Sequence, residues 1–347
     1  FTPGEADHLR RNMAAWRRTG DLQQYYDKII NGMVNNGYTR EFAESIFQQI
    51  QGFSEYGFPE SHAASFALLV YFSAWLKCHY PAEFLCAMVN SQPLGFYSNS
   101  QLIQDAQRHG VQVLPVDVLH SGIDCSMEAA NAAQPAVRLG LRLVRQLSQA
   151  QAWRVVQARQ AAAFISAEDL ATRAQLDAPA MQQLAAADAL LSLEGHRRNQ
   201  LWQAAAPRQA GALLRDAPID EERLELLPAG ETEAIHWDYA ALGLSLRRHP
   251  LALLRERLQQ HRFRNQAELQ QCRDDSWVRA CGLVTLRQQP PTANGVVFVT
   301  LEDETGNLQV ICWPRIREQQ RDALLQARLL AVEGRWQRNG NGAGNLI

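Results

Sequence analysis

The sequence predicts a multidomain chain, mainly α and followed by a small all-β barrel. Three observations carry this expectation. Apolar residues recur at helical spacing between residues 4 and 92, as at Leu9, Met13 and Trp16. A second run of small helices joined by tight turns extends from about Gln149 past Arg198. From Trp277 onward the runs WVRACGLVTL, GVVFVTLED, NLQVICW and LLAVEGRW are β-rich and punctuated by Asn294-Gly295 and Thr305-Gly306. With 347 residues, a formal charge of -2 and 46% hydrophobic residues, the chain has the composition of two or three ordinary globular domains.

Each element has a local rationale. Asp21 is a candidate cap for a helix through Ile30 and Met33, which Gly37 ends. Thr39 caps the next, carrying Phe42, Ile46, Phe47 and Ile50 before Gly52. Ser61 opens a third that is apolar on most faces. Its uninterrupted run, Ala63 to Leu76, is shorter than the roughly 20 residues of a membrane span, so a buried core helix is expected. After Gly110, VQVLPVDV and the residues around Ile123 to Met127 form short extended pieces. Ser166 caps a short helix through Leu170, and MQQLAAADALLSL and RRNQLWQAAA follow as further helices. At the end, four strands with the helical IREQQRDALLQ between the third and fourth form the pattern of an OB-type Greek-key barrel.

Charge is uneven along the chain. Residues 135–208 are locally basic, whereas residues 209–245 are rich in Asp and Glu and read as an acidic linker. Lysine occurs only at Lys28 and Lys77 while arginine is abundant, a bias that most often reflects codon usage and carries little weight as evidence for nucleic-acid binding. The six cysteines are scattered without a Cys-x-x-Cys pair, which points to reduced structural thiols in a cytoplasmic protein and gives no metal site. For two-metal chemistry the available carboxylates are Asp274-Asp275 and Glu302-Asp303-Glu304, which fall at or near barrel turns where acidic residues are ordinary. Phe1 opens the sequence without a methionine and GNLI closes it in a strand-like run, so a piece of a longer protein is expected.

Specific motifs add a resemblance. YGFPESHAASFALLVYFSAWLKCHYPAEF, preceded by FTPGEADHLRRNMA, resembles the fingers of bacterial C-family DNA polymerases. SAEDL, MQQLAAADALLSLEGHRRNQLWQ and YAALGLSLRRHPLALLRERL look most like the error-prone, ImuC-type branch of that family. The resemblance implies the C-terminal part of the fingers at 1–92, a connecting α/β segment at 93–134 and a tandem helix-hairpin-helix domain at 135–208. An acidic linker with helices and a degenerate clamp-binding region follows at 209–276, then a truncated OB fold at 277–347. It also implies that the palm and PHP domains, and with them the carboxylates holding Mg²⁺, lie outside this sequence, so that this part alone is inactive. The partners implied are primer-template DNA, dNTP, single-stranded template and an accessory Y-family-like mutagenesis protein, with no membrane. A stand-alone DNA-binding adaptor, or a scaffold of a mutagenesis complex, is the alternative; the fingers-like block speaks against both.

Candidate contacts follow from charge and position. Arg10 and Arg11 offer guanidinium forks, and Ser61 and His62 lie at a helix N-terminus, where unpaired N–H groups favour phosphate. Family members often carry Asn-Lys where this chain has Pro59-Glu60, which argues against triphosphate contact at Glu60. Gln146-Leu147-Ser148 stands where the first hairpin would have Gly-apolar-Gly, so a relic with only arginines such as Arg145 to offer is expected. Gly195, His196, Arg197 and Arg198 form the better second hairpin. Arg279, Arg287, Trp313 and Trp336 are the candidate single-strand contacts of the barrel, with Phe298 expected to be buried by strand alternation. Gln209, Leu213 and Leu214 match a clamp-binding peptide only in part, because no aromatic follows, so clamp binding is expected to be weak or indirect.

Overall fold

A computed structural model of the chain describes residues 1–2, 4–6, 9, 25–55, 60–95, 97–130, 134–205, 226–290, 293–338 and 344–347, the side chains at 51–55, 60 and 61 excepted. The chain forms two compact units, Phe1–Tyr80 and Pro81–Ile347.

In the first unit, α1 (Tyr26–Asn35) packs on α2 (Arg40–Glu55) through Ile29, Ile30, Ala43 and Phe47. Gly37, at φ +88°, turns the chain between them, and the Thr39 hydroxyl accepts the Phe42 N–H at 3.3 Å, as an N-cap should. The second helix runs through Gly52 rather than stopping before it. The cap assigned to Asp21 lies outside the described residues.

Helix α3 (Glu60–His79) corrects two expectations. Ser61 has helical backbone and stands inside the first turn, so it is not the N-cap, a position that requires non-helical dihedrals. The helix is also not a buried core element of this chain. Phe66, Leu68, Leu69, Val70, Tyr71, Phe72 and Trp75 are between 42 and 66% exposed. Apolar composition states what a helix face would gain by burial, and burial itself needs a partner surface.

The second unit begins with α4 (Pro81–Asn90) and α5 (Asn99–Arg108), against a three-stranded sheet of β1 (Val113–Leu114), β3 (Ala136–Arg138) and β2 (Ser126–Glu128) in that spatial order. The Asn90 amide clamps this sheet's loop by donating to the Cys125 carbonyl at 2.9 Å and accepting the Cys125 N–H at 2.8 Å. Burial pushes the Cys125 thiol up to about 11, and the Cys86, Cys281 and Cys312 thiols also rise, mainly by desolvation, as befits structural cysteines.

Small capped helices follow: α6 (Gln149–Ala161), α7 (Ala167–Arg173), α8 (Ala178–Ala186), α9 (Leu191–Glu194) and α10 (Arg197–Ala205). Ser148, Ser166 and Asp177 each accept a first-turn N–H, at 3.1 to 3.2 Å. The MQQLAAADALLSL run is broken at Asp188, which takes φ +60°. After residue 225 the chain is packed rather than extended: α11 (Glu231–Ala241) contributes Ala241, and the residues after it Leu244, to the same hydrophobic core as Met181, Leu184 and Leu190.

A 3₁₀ turn at Pro250–Leu254, α12 (Arg255–Gln260), β4 (Phe263–Arg264) and α13 (Gln266–Gln270) lead into the barrel. There β5 (Ser276–Gln288), β6 (Val297–Glu302) and β7 (Asn307–Cys312) form an antiparallel meander. After α14 (Pro314–Gln319) and α15 (Arg321–Gln326), β8 (Leu329–Arg338) pairs antiparallel with β5, and β9 (Gly344–Leu346) joins β8 to β7. Closure of β5 on β8 and of β9 on β7 removes the open edges, giving the five-stranded OB pattern with its helices between the third and fourth strands. Asn294 and Gly295, at φ +48° and +84°, make the tight turn that their sequence signals.

Candidate nucleic-acid interface

At the first hairpin, Gln146 adopts φ +63°, the left-handed conformation that glycine adopts without a Cβ penalty. The turn therefore forms without glycine, and Ser148 caps the helix behind it. Arg145 is exposed and also anchors a neighbouring helix. Its guanidinium donates to the Tyr239 and Ala240 carbonyls at 3.2 Å each, satisfying the C-terminal end of α11.

The second hairpin keeps an open backbone. Gly195, at φ +71°, is exposed, and no atom lies within 4 Å of where a Cβ would stand, so a phosphate can come close to the chain there, although the Gly195 N–H itself donates to the Leu191 carbonyl at 3.0 Å. The preceding Glu194 is buried and holds the hairpin by accepting the Ala167 N–H at 2.7 Å. His196 is half-buried, and its Nδ1 has no partner among the described residues.

The two arginines that follow divide sharply. Arg197 is only 5% exposed. It donates to the Ala234 carbonyl at 2.7 Å and pairs with Asp238, with Asp188 3.6 Å away. Arg247 bridges the same carboxylates at 2.8 and 3.3 Å, and the Ser245 hydroxyl donates to Asp238 at 2.6 Å. Arg197 is thus the centre of a buried ion network, which corrects its assignment to DNA. The reason is helical phase: Arg197, Gln200 and Ala204 share the buried face of α10. Arg198, one residue on, faces outward in an exposed pair with Glu233 at 2.7 Å and donates to the Leu227 carbonyl at 3.2 Å. Exposed pairs of this kind contribute roughly 0 to 1 kcal/mol, so Arg198 can exchange its partner for a phosphate.

The barrel candidates also separate. Trp313, just after β7, is 52% exposed. Trp336 is 1% exposed and fills the barrel interior, where a side chain at Gly344 would overlap its ring; it cannot stack a base. Arg287 is committed as well, with Nε donating to the Leu324 carbonyl at 2.6 Å and Nη2 to the Ala327 carbonyl at the end of α15. Arg279 remains on the surface, its guanidinium 4.5 Å from the Phe263 ring centroid. Phe298 is half-buried. Strand alternation also places Trp277, 66% exposed, on the face of Arg279 and opposite buried Val278 and Ala280, a residue the sequence reading passed over.

The carboxylates do not suit a metal. Asp303 is 5% exposed, and its oxygens accept the N–H groups of Gln266, Thr305 and Gly306 at 2.7 to 3.0 Å. Glu302 faces His249 at 3.5 Å, and Glu304 takes two hydrogen bonds from Arg255 at 2.5 and 2.9 Å. Burial raises the Glu304 carboxyl, but the Arg255 guanidinium outweighs it and holds the group below the usual carboxylate range. Asp275 pairs with Arg335, and Asp274 accepts the Arg338 N–H at 2.8 Å. Among the described residues no cluster of three or more His, Cys, Asp or Glu side chains is placed to hold a metal ion.

In the first unit, the His62 ring lies 4.4 Å from that of Phe66. Arg10, Arg11, Gln209, Leu213 and Leu214, and the Ser61 side chain, lie outside the described residues. No helix among the described residues is long and apolar enough to cross a membrane.

Comparison with known proteins agrees with the two halves of the second unit. Residues 110–200 match a helix-hairpin-helix motif family, and residues 269–346 match the OB-fold nucleic acid binding domain family. Proteins named error-prone DNA polymerase are similar along almost the whole chain. That of Methylococcus capsulatus is 52% identical over 96% of this chain and 34% of its own length. Those of Bordetella parapertussis and Burkholderia pseudomallei are 53 and 54% identical, each over 97% of this chain and 32% of their own. The chain therefore spans about a third of the length of these curated relatives. Over almost its whole length the chain is thus similar to about one third of proteins named error-prone DNA polymerase, and within it lie the matches to a helix-hairpin-helix motif family and an OB-fold nucleic acid binding domain family.

Proposed function

We propose that this chain is the DNA-handling part of an error-prone, translesion-type DNA-directed DNA polymerase used in damage-induced mutagenesis in the cytoplasm. The similarity to polymerases over 96 to 97% of the chain is the observation that carries this reading. The whole enzyme would take primer-template DNA and dNTP, with Mg²⁺ held by carboxylates outside this chain. In the fingers-like unit Arg10, Arg11, Ser61 and His62 would meet nucleotide or DNA phosphate. The second hairpin would hold backbone phosphate at His196, where the open space beside Gly195 lets it approach, and through the charge of Arg198, and the barrel would receive the single-stranded template near Trp313. Gln209, Leu213 and Leu214 lack the aromatic of a strong clamp peptide, so recruitment to a sliding clamp would run through an accessory Y-family-like mutagenesis protein.

Fluorescence anisotropy with labelled oligo(dT) tests the binding half of this reading. The chain is expected to bind, with log K falling linearly with log salt concentration. Trp313→Ala is expected to weaken binding by about fivefold or more, because stacking one base on an aromatic contributes roughly 1 to 3 kcal/mol. Absence of binding at low salt would contradict the proposal.

A further inference from the structure

The surface between β5 and β8 carries chemistry that the Trp313 side of the barrel does not use. Trp277 projects outward from β5 and stands directly across the antiparallel pair from Arg335 of β8. Two residues along β5 on the same face is Arg279, which packs on the Phe263 ring of the neighbouring β4. Opposed residues of an antiparallel pair have Cβ atoms about 5 Å apart, so a flat indole with an exposed face sits within reach of two guanidinium groups.

A large exposed aromatic on a sheet face invites two kinds of occupant, an apolar protein surface or a nucleobase. Charge decides between them. Arg262, Arg273, Arg279, Arg335 and Arg338 are exposed on this face and its rim, against the exposed Asp274, Asp275 and Glu333. The excess is positive in a chain whose total is -2. Both pairs on the face itself are solvent-exposed: Arg335 with Asp275 at 2.9 Å and Arg279 with Glu333 at 3.5 Å. Such pairs are weak, so a polyanion can displace Glu333 and Asp275 at little cost while Arg279 keeps its bond from Nη1 to the His261 carbonyl at 3.1 Å. An apolar partner would have to desolvate five guanidinium groups; a single strand neutralises them while its base covers the indole.

We propose that the outer face of β5 and β8 is a second single-strand-binding site, in which an unpaired base stacks on Trp277 and the flanking phosphates bind Arg335 and Arg279. The proposal deepens, and rests on, the reading of the barrel as a single-strand binder. A strand engaging both Trp277 and Trp313 would be held at two separate parts of the barrel, which resists sliding better than one contact.

The test is oligo(dT) anisotropy on the full chain across a salt series, with Trp277→Ala, Trp277→Phe, Arg335→Gln and Trp313→Ala. Trp277→Ala is expected to weaken binding about tenfold while Trp277→Phe, which keeps a ring to stack on, retains most of it. Arg335→Gln should lower the salt slope by about 0.7, the value for one phosphate contact on a single strand. Circular dichroism melting of Trp277→Ala should match the parent, since the side chain is exposed. If the parent binds and Trp313→Ala weakens it, but Trp277→Ala and Arg335→Gln leave affinity and salt slope unchanged, this second site is wrong while the single-strand reading of the barrel stands. If the parent does not bind, both fall. Loss of a protein contact by Trp277→Ala with oligonucleotide affinity intact would assign the face to protein and overturn the proposal.

Discussion

Replacing Arg197 with alanine lowers stability by about 3 to 5 kcal/mol, the expected cost of removing one partner from a buried ion pair. The loss comes from what is left behind. Asp238 and Asp188 stay inside the helical module, with Arg247, itself 40% exposed at the side chain, as the remaining cation and Ser245 as a donor to Asp238. The Ala234 carbonyl also loses its Arg197 donor. Urea denaturation followed by circular dichroism measures the effect as a fall in midpoint at unchanged slope. Arg198→Ala, one residue away, is expected to change stability by less than about 1 kcal/mol, with its effect appearing in DNA affinity instead. Equal stabilities for the two variants would show that the buried network around Asp238 has been misjudged.

Trp336→Ala in the barrel is expected to cost a similar 3 to 5 kcal/mol, because the cavity left by a fully enclosed indole cannot collapse against paired strands. Its neighbours Leu346 and Val278 belong to the same core, and β9 presents Gly344 where the ring needs room. Trp336→Phe is expected to cost less than half as much. Phenylalanine keeps most of the apolar contact and removes a buried Nε1–H that has no partner among the described residues. Thermal melting separates the variants, and Trp313→Ala serves as the exposed control, expected to melt with the parent. A Trp336→Ala protein as stable as the parent would mean that the barrel does not close around this residue.

Those two residues mark where the sequence was legible and where it was not. The order of elements follows from local chemistry: Thr39, Ser166 and Asn294-Gly295 announced their caps and turns because such signals act within four residues of themselves. Strand runs and turn signals carried the OB barrel, and resemblance in the motifs carried the helix-hairpin-helix assignment. Burial of individual polar or aromatic side chains depends on partners far along the chain. Arg197 meets Asp238 across 41 residues, and Arg145 meets Tyr239 across 94. No local pattern states those pairings, so charged residues beside a hairpin were all read as ligands for phosphate. Two local signals do bear on burial. The Arg197, Gln200 and Ala204 stripe gives the inward face of α10, and alternation along WVRAC puts Trp277 outward with Arg279. The exposed apolar faces of α3 show the opposite limit, since the sequence gives the property of a surface and not what covers it.

The central claim is that this chain grips nucleic acid while the metal-dependent chemistry belongs to residues outside it. One assay addresses both halves: the chain is mixed with a labelled primer-template carrying a single-stranded overhang, all four dNTPs and Mg²⁺, and both complex formation and primer length are followed. The account predicts a salt-sensitive complex with the primer unextended. Extension by this chain alone, abolished by replacing Glu302 and Asp303 but not by replacing Trp313, would contradict it.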